Sequence, residues 1–277
     1  MGKIIALVNQ KGGVGKTTSS INLAASLGVL KRRVLLVDLD PQGNASTGIG
    51  IDKSTIKKSI YDLLLDNAEL SEAIIKTKFK NLYVIPATIN LAGADIELME
   101  KSRYEPGFSK GGQLKKYLSQ AKEMFDYIII DCPAGIEQGF KNAIAGADRA
   151  IVVTNPEVSA VRDADRIIGL LEANEINDIR LVINRIRHDM VRRGDMMNKE
   201  DIIEILAIKL LGLVPDDESI IVSTNKGEPA ILDNKSLAGQ AYKNIARRIL
   251  GDDVPMLELE EEANIFTKIK KIFGMAK

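Results

Sequence analysis

Hydrophobic residues along this chain fall into two alternating rhythms. Short apolar runs recur at Ile4–Val8, Arg33–Asp38, Leu82–Pro86, Tyr127–Asp131, Ala150–Thr154, Ile179–Ile183 and Leu210–Val214. Their length and near-absence of interior polar residues predict β-strands buried on both faces. Between them, Asn22–Leu30, Ile60–Leu65, Asp163–Ala173 and Lys199–Ala207 repeat apolar residues at helical spacing. Alternation of this kind predicts an α/β fold, a mainly parallel sheet flanked by helices on both faces. Ligands of such sheets gather outside the carboxyl ends of the strands. The stretch Ser102–Gly112, rich in Gly, Ser and charge, is predicted to be a surface loop.

The end of the chain breaks the rhythm. Residues 251–263 are acidic, with Asp252, Asp253, Glu258, Glu260, Glu261 and Glu262, and are expected to form a linker. In residues 264–277, Ile265, Phe266, Ile269, Ile272 and Phe273 share one arc of a helical wheel, flanked by Lys268, Lys270 and Lys271. A basic amphipathic helix of this form lies in a membrane interface; the alternative is a helix docked on the protein's own core. The expected organisation is one domain over 1–250, the acidic linker, and the amphipathic helix.

Composition narrows the partners. The chain has 277 residues, 45% hydrophobic and 27% charged, ordinary for a soluble globular protein. Its net charge is zero, so binding to nucleic acid or an anionic membrane needs a local patch. The single cysteine, Cys132, excludes an intramolecular disulfide and fits a reducing cytosol. The first apolar run is too short for a signal peptide, and none is long enough to span a bilayer. Tryptophan is absent and aromatics are 4%, which argues against base-stacking platforms.

The chemistry sits at predicted strand ends. The first strand leads into Lys11-Gly12-Gly13-Val14-Gly15-Lys16-Thr17-Thr18, and a helical stretch follows. Strand, glycine loop, Lys-Thr and helix make a phosphate-binding loop. Gly12, Gly13, Val14, Gly15, Lys16, Thr17 and Thr18 would cradle a polyphosphate. Lys16 offers charge to the β/γ-phosphates and Thr17 a hydroxyl to Mg²⁺. The second strand ends in Asp38-Leu39-Asp40-Pro41. The local alternative for these acids is a strand-ending turn, since Asp, Pro, Gly and Asn are turn formers. Asp131 ends a wholly apolar strand and fits the acid that holds a water of the Mg²⁺ shell. The residues from Gly135 onward would sense the γ-phosphate. No His or Cys cluster has metal-binding spacing, and the lone His188 supports no triad.

The general phosphate-loop pattern places Gly at position 10, where this chain has Gln10, followed by the extra Lys11. This loop resembles the deviant Walker A motif of the ParA/MinD family of ATPases. The resemblance implies a P-loop NTPase that binds ATP and Mg²⁺ and forms an ATP-sandwiched homodimer. Lys11 would then reach the partner's nucleotide, Asp40 would position the attacking water, and Asp38 would lie near the magnesium and phosphates. Asn184 would read the adenine edge, and the loop from Pro215 would close over the base. Arg162, Asp163 and Asp165 match the helix that binds MinC/MinE-type regulators. Hydrolysis is expected to be slow, because no strong general base is apparent and catalysis rests on positioning and charge neutralisation.

The resemblance covers nearly the whole chain, and its halves differ. Val8-Asn9-Gln10-Lys11, Asp38-Leu39-Asp40-Pro41-Gln42-Gly43-Asn44 and Val84-Ile85-Pro86-Ala87 are similar to ParA/Soj partitioning ATPases. Cys132-Pro133-Ala134-Gly135-Ile136-Glu137-Gln138-Gly139, Pro156–Arg166, Ser223–Pro229 and the tail resemble MinD. The second half implies a cell-division positioning ATPase, cytoplasmic and peripheral on the inner face of the cell membrane when ATP-bound. The first half implies the alternative, a DNA-segregation ATPase, with Arg187, Arg192, Arg193, Arg247 and Arg248 as a candidate patch. A nitrogenase-reductase relative would need cluster-ligating cysteines in each subunit, which Cys132 alone does not supply.

Overall fold

The computed structural model describes residues 1–105, 108, 112–136 and 138–257. Among them eight strands form one sheet: β1 (Lys3–Val8), β2 (Val34–Asp38), β3 (Ile75–Lys76), β4 (Leu82–Ile85), β5 (Tyr127–Asp131), β6 (Arg149–Thr154), β7 (Ile179–Ile186) and β8 (Lys209–Pro215). Their order is β3-β4-β2-β5-β1-β6-β7-β8. All neighbours are parallel except β3, which runs antiparallel to β4. Seven of these strands match the apolar runs. The eighth, β3, has two residues, too few to leave a periodic signal.

Helices cover both faces. They are α1 (Lys16–Val29), α2 (Asn44–Gly48), α3 (Ile60–Leu64), α4 (Leu70–Ala73), α5 (Ala94–Tyr104) and α6 (Gln113–Ala121) in the first half. The second half adds α7 (Gln138–Ala145), α8 (Val158–Ala173), α9 (His188–Arg193), α10 (Lys199–Leu206), α11 (Ser219–Asn225) and α12 (Leu237–Leu250). Alternate residues of each strand enter opposite layers. Ile4, Ala6 and Val8 of β1 pack in the layer of α3, α5, α6, α7, α8 and α10. Ile5 and Leu7 pack in the layer of α1, α2 and α12. This two-sided burial explains why the strands read as continuous apolar runs.

The expected loop Ser102–Gly112 needs correction at its start, because α5 extends to Tyr104. Leu98 buries one side of that helix. The Lys101 ammonium donates to the Leu65 carbonyl and lies over the Phe108 ring. The charge of this stretch is the solvated face of a helix. Of the remainder, only Glu105, Phe108 and Gly112 are among the described residues.

The segment after β8 is pinned by one carboxylate. Asp217 accepts from the Ser219 amide, the Ser236 hydroxyl and the Ala238 amide, each at 2.9 Å. It thereby ties the loop after β8 to the first turns of α11 and α12. Helix α12 buries Ala238, Ala241, Tyr242, Ile245 and Ile249, and its Tyr242 hydroxyl meets that of Ser19 on α1 at 3.0 Å. Beyond Leu250, residues 251–257 form neither helix nor strand. The Arg248 guanidinium donates to the carbonyls of Leu211, Val254 and Pro255 and holds this segment to the edge of the sheet. Residues 258–277, with Ile265, Phe266, Ile269, Ile272 and Phe273, lie outside the described residues. No described helix is long and apolar enough to cross a membrane. Asp217→Ala removes three accepted bonds at two helix starts and should lower stability by about 2 kcal/mol, measured by urea denaturation without nucleotide.

Candidate functional site

The loops that follow β1, β2, β5, β7 and β8 meet at the carboxyl ends of the strands. Asn9 sets the course of the first. Its Nδ2 donates to the Val153 carbonyl at 2.8 Å, and its Oδ1 accepts from the Lys11 amide at 2.9 Å. Gly13 and Gly15 then adopt φ of 78° and 97°, the left-handed region open to glycine. At Gly15 a Cβ would also lie 2.2 Å from Nδ2 of Asn184, so close approach excludes any side chain there. Helix α1 starts at Lys16 with no side-chain cap and no acidic residue in its first turn. Its N–H groups and dipole therefore present positive charge to whatever the loop encloses. The Lys16 ammonium is turned back into the loop, 3.1 Å from the Lys11 carbonyl.

Two buried carboxylates end β2 and β5, and the charge of Asp131 acts on Lys16. Asp38 and Asp131 are register partners on the adjacent parallel strands β2 and β5, and both are fully buried. Asp38 accepts three bonds: one oxygen from the Ser46 amide and hydroxyl, each at 2.8 Å, and the other from the Asp40 amide at 3.2 Å. Asp131 accepts from the Ser20 hydroxyl at 2.9 Å through one oxygen, while the other is buried without a hydrogen-bond partner. Burial and the neighbouring Asp38 push the Asp131 carboxyl up to about 7. Burial also raises Asp38 and the Cys132 thiol, and it lowers Lys16 despite the pull of Asp131. Two buried acids and one buried ammonium leave this cluster short of positive charge.

That shortage fits a cation. Among the described residues no cluster of three or more His, Cys, Asp or Glu could hold a metal by itself. A cation here would take the free oxygen of Asp131, the Thr17 hydroxyl at the start of α1, water and phosphate oxygens. Such a set suits Mg²⁺, which keeps several waters and needs few protein ligands. Asp38 anchors α2 and the turn carrying Asp40, and its oxygen that accepts only the Asp40 amide keeps a further acceptor site. Asp40 lies past the end of β2, and its carboxylate accepts from the Gln42 amide at 2.9 Å.

Other residues close the site. Asn184 is buried at the end of β7 and donates to the Val14 carbonyl at 2.8 Å. Pro215 ends β8, and the next amide, of Asp216, bonds back to the Ile186 carbonyl at 3.1 Å. After β5, Gly135 has φ 94°, and its amide donates to the Gln10 carbonyl at 2.9 Å. The segment after Asp131 is thus bonded to the glycine loop.

Lys11 points elsewhere. Its ammonium lies 2.9 Å from the Glu157 carboxylate and 2.8 Å from the Ser159 hydroxyl of the same chain. The bond from Lys11 holds the Glu157 carboxyl below the usual carboxylate range. Glu157 and Ser159 open α8, which carries Arg162 and Asp165 exposed and Asp163 half-buried in its next turn. The sequence reading missed Glu157, Ser159, Ser20 and Ser46 as partners of site residues. Ser20 lies four residues after Lys16 and could have been found from helical spacing, whereas Lys11 and Glu157 are 146 residues apart.

A glycine loop opening a helix after the central parallel strand, with an acid ending the neighbouring strand, defines a P-loop nucleotide-binding protein. A family model described as an AAA domain matches residues 2–185. The septum site-determining protein MinD of Bacillus subtilis is 46% identical over 280 residues, 99% of both chains, and so aligns with both halves. The MinC:MinD cell division protein complex of Aquifex aeolicus matches with TM-score 0.82 and 35% identity over 94% of this chain and 100% of that one. MinD of Pyrococcus horikoshii, complexed with Mg-ADP, matches with TM-score 0.77 and 29% identity over 92% and 100%. The chain belongs to the MinD branch of the ParA/MinD family of ATPases. Asp131→Asn relieves the charge conflict with Asp38. In Mg²⁺-free buffer at pH 8 it should raise the thermal midpoint, while the further rise on adding Mg²⁺ and ATP disappears.

Proposed function

We propose that this chain is an ATP-driven dimerising switch that places the division site and works at the inner face of the cell membrane. The observation that carries the proposal is the position of Lys11. It sits on the nucleotide loop, yet its charge is satisfied by the first turn of α8. Exposed ion pairs are weak, typically below ~1 kcal/mol. A nucleotide presented by a second copy therefore offers Lys11 a better partner than Glu157 does. Lys11 then leaves α8, and dimer formation is reported along the helix that carries Arg162, Asp163 and Asp165, the candidate surface for a MinC/MinE-type regulator.

Within each protomer, Gly12 to Thr18 hold the phosphates through backbone amides, and Lys16 adds charge. Thr17 and Asp131 would hold Mg²⁺, which would supply charge neutralisation at the phosphates. Asp38 fixes the Asp40 turn, and Asp40 orients the attacking water. Asn184 and the Pro215 loop meet the adenine. Without a strong base in the site, hydrolysis is slow and serves as a timer that returns the protein to the monomer. Two amphipathic tails in one dimer add their membrane affinities, whereas a single tail binds weakly.

The DNA-segregation alternative is less well supported. Arg187 pairs with Asp189, Arg193 with Asp189 and Asp195, and Arg247 with Asp252, while Arg248 is spent on backbone carbonyls. The exposed pairs among these are weak, so the division reading is favoured chiefly by the full-length likeness to septum site-determining relatives.

Two outcomes check the proposal. Lys16→Ala should weaken ATP binding by at least about 100-fold, read by equilibrium dialysis. The full chain should sediment with anionic vesicles in ATP and stay in the supernatant in ADP. Equal sedimentation in both nucleotides, or none in either, sinks the switch.

A further inference from the structure

The carboxyl end of β7 is irregular. Ile183 pairs with Leu213 on β8 and Ile186 with Pro215, so Asn184 and Arg185 stand opposite the single residue Val214. A bulge of this kind re-aims the side chains that it carries. Asn184 is buried and donates to the Val14 carbonyl of the glycine loop, whereas Arg185 is exposed. Arg185 also adopts φ 56°, a left-handed backbone that residues with long side chains seldom take. Strain held beside a ligand site directs attention to the side chain that the backbone presents there.

Arg185 is uncommitted where its neighbours are not. Lys16 is turned onto the Lys11 carbonyl, and Lys11 onto Glu157 and Ser159. The Arg185 guanidinium has neither hydrogen bond nor ion pair among the described residues. Its place is beside Glu157. Strands β6 and β7 are parallel neighbours, and Thr154 is the register partner of Ile183. Glu157 comes shortly after the first of these residues and Arg185 shortly after the second, so both leave the same corner of the sheet. The Glu157 side chain is half-exposed, which leaves room for a second cation beside Lys11. The bond from Lys11 is the main influence holding the Glu157 carboxyl low, and the charge of Arg185 adds to it.

We propose that Arg185 is a positioning residue for dimer formation, which takes the Glu157 carboxylate when Lys11 leaves for the nucleotide of a second copy. This rests on the switch reading above. Glu157 is the N-cap of α8, where the helix dipole favours a carboxylate in either state. The acid therefore stays in place and the cation beside it changes. Without a replacement, departure of Lys11 strands an unpaired carboxylate close to a polyphosphate. With Arg185 at hand, Glu157 is paired before and after, and Lys11 is released more readily. The planar fork of an arginine also holds a carboxylate through two parallel bonds, which an ammonium does not match.

The test measures dimer affinity of the full chain by sedimentation equilibrium, with Mg²⁺ and a non-hydrolysable ATP analogue. Each dimer forms two Arg185–Glu157 pairs, and an exposed pair changes affinity by about threefold, so Arg185→Gln should weaken the dimer about tenfold. Arg185→Lys should recover part of that loss. In a Glu157→Gln background, Arg185→Gln should change nothing, because the pair is already absent. The ADP affinity of the Arg185→Gln monomer should equal that of the parent. Parental dimer affinity in Arg185→Gln overturns the exchange. The same tenfold loss in the Glu157→Gln background overturns it too, and makes Arg185 a direct contact with nucleotide or partner instead. If the parent itself does not dimerise with the analogue, the switch reading fails and this proposal falls with it.

Discussion

Two acids that end neighbouring parallel strands cannot both be charged in a dry interior at low cost. The register that sets Asp38 beside Asp131 creates this conflict at the centre of the molecule. Its resolution differs for the two residues. Asp38 is satisfied by Ser46 and the Asp40 amide, which makes it a structural anchor. Asp131 keeps one oxygen unpartnered, with the Lys16 ammonium, whose charge burial disfavours, as the nearby cation. The site is thus built short of positive charge. A magnesium-bound polyphosphate meets both needs: the metal meets the acid, and the phosphates meet the uncapped start of α1.

That arrangement links binding to shape. Gly135 bonds to Gln10, Asp38 holds the turn of Asp40, and Asn184 touches Val14 from beneath the loop. Every segment that would feel a γ-phosphate is one hydrogen bond from the glycine loop or from the acid pair. Lys11 extends the connection outward through Glu157 and Ser159 to α8. A charge that changes partner at the nucleotide can therefore alter the start of a helix whose next turn lies on the surface. No long-range pathway is needed, because the bistable element is a single exposed ion pair.

Much of this was legible in the sequence. Strands buried on both faces leave continuous apolar runs, so seven were visible, as was the glycine loop between strand and helix. The acids at Asp38, Asp40 and Asp131 were visible because each ends such a run. What escaped depended on contacts made only in three dimensions. The two-residue β3 has no period to detect. The last residues of α5, Ser102–Tyr104, read as loop because they are exposed, while Ala94 and Leu98, which bury the helix, lie before them. Glu157 lies far along the chain from Lys11, and Asp217 looks like one acid among three in Asp216-Asp217-Glu218. Only the fold reveals that this middle carboxylate fastens two helices.

The central claim is that nucleotide state decides whether Lys11 serves its own chain or a second copy. Light scattering of the purified chain, with Mg²⁺ and either a non-hydrolysable ATP analogue or ADP, tests it most directly. The account predicts twice the chain mass of 30.3 kDa with the analogue and the single-chain mass with ADP. The same mass in both nucleotides would contradict it.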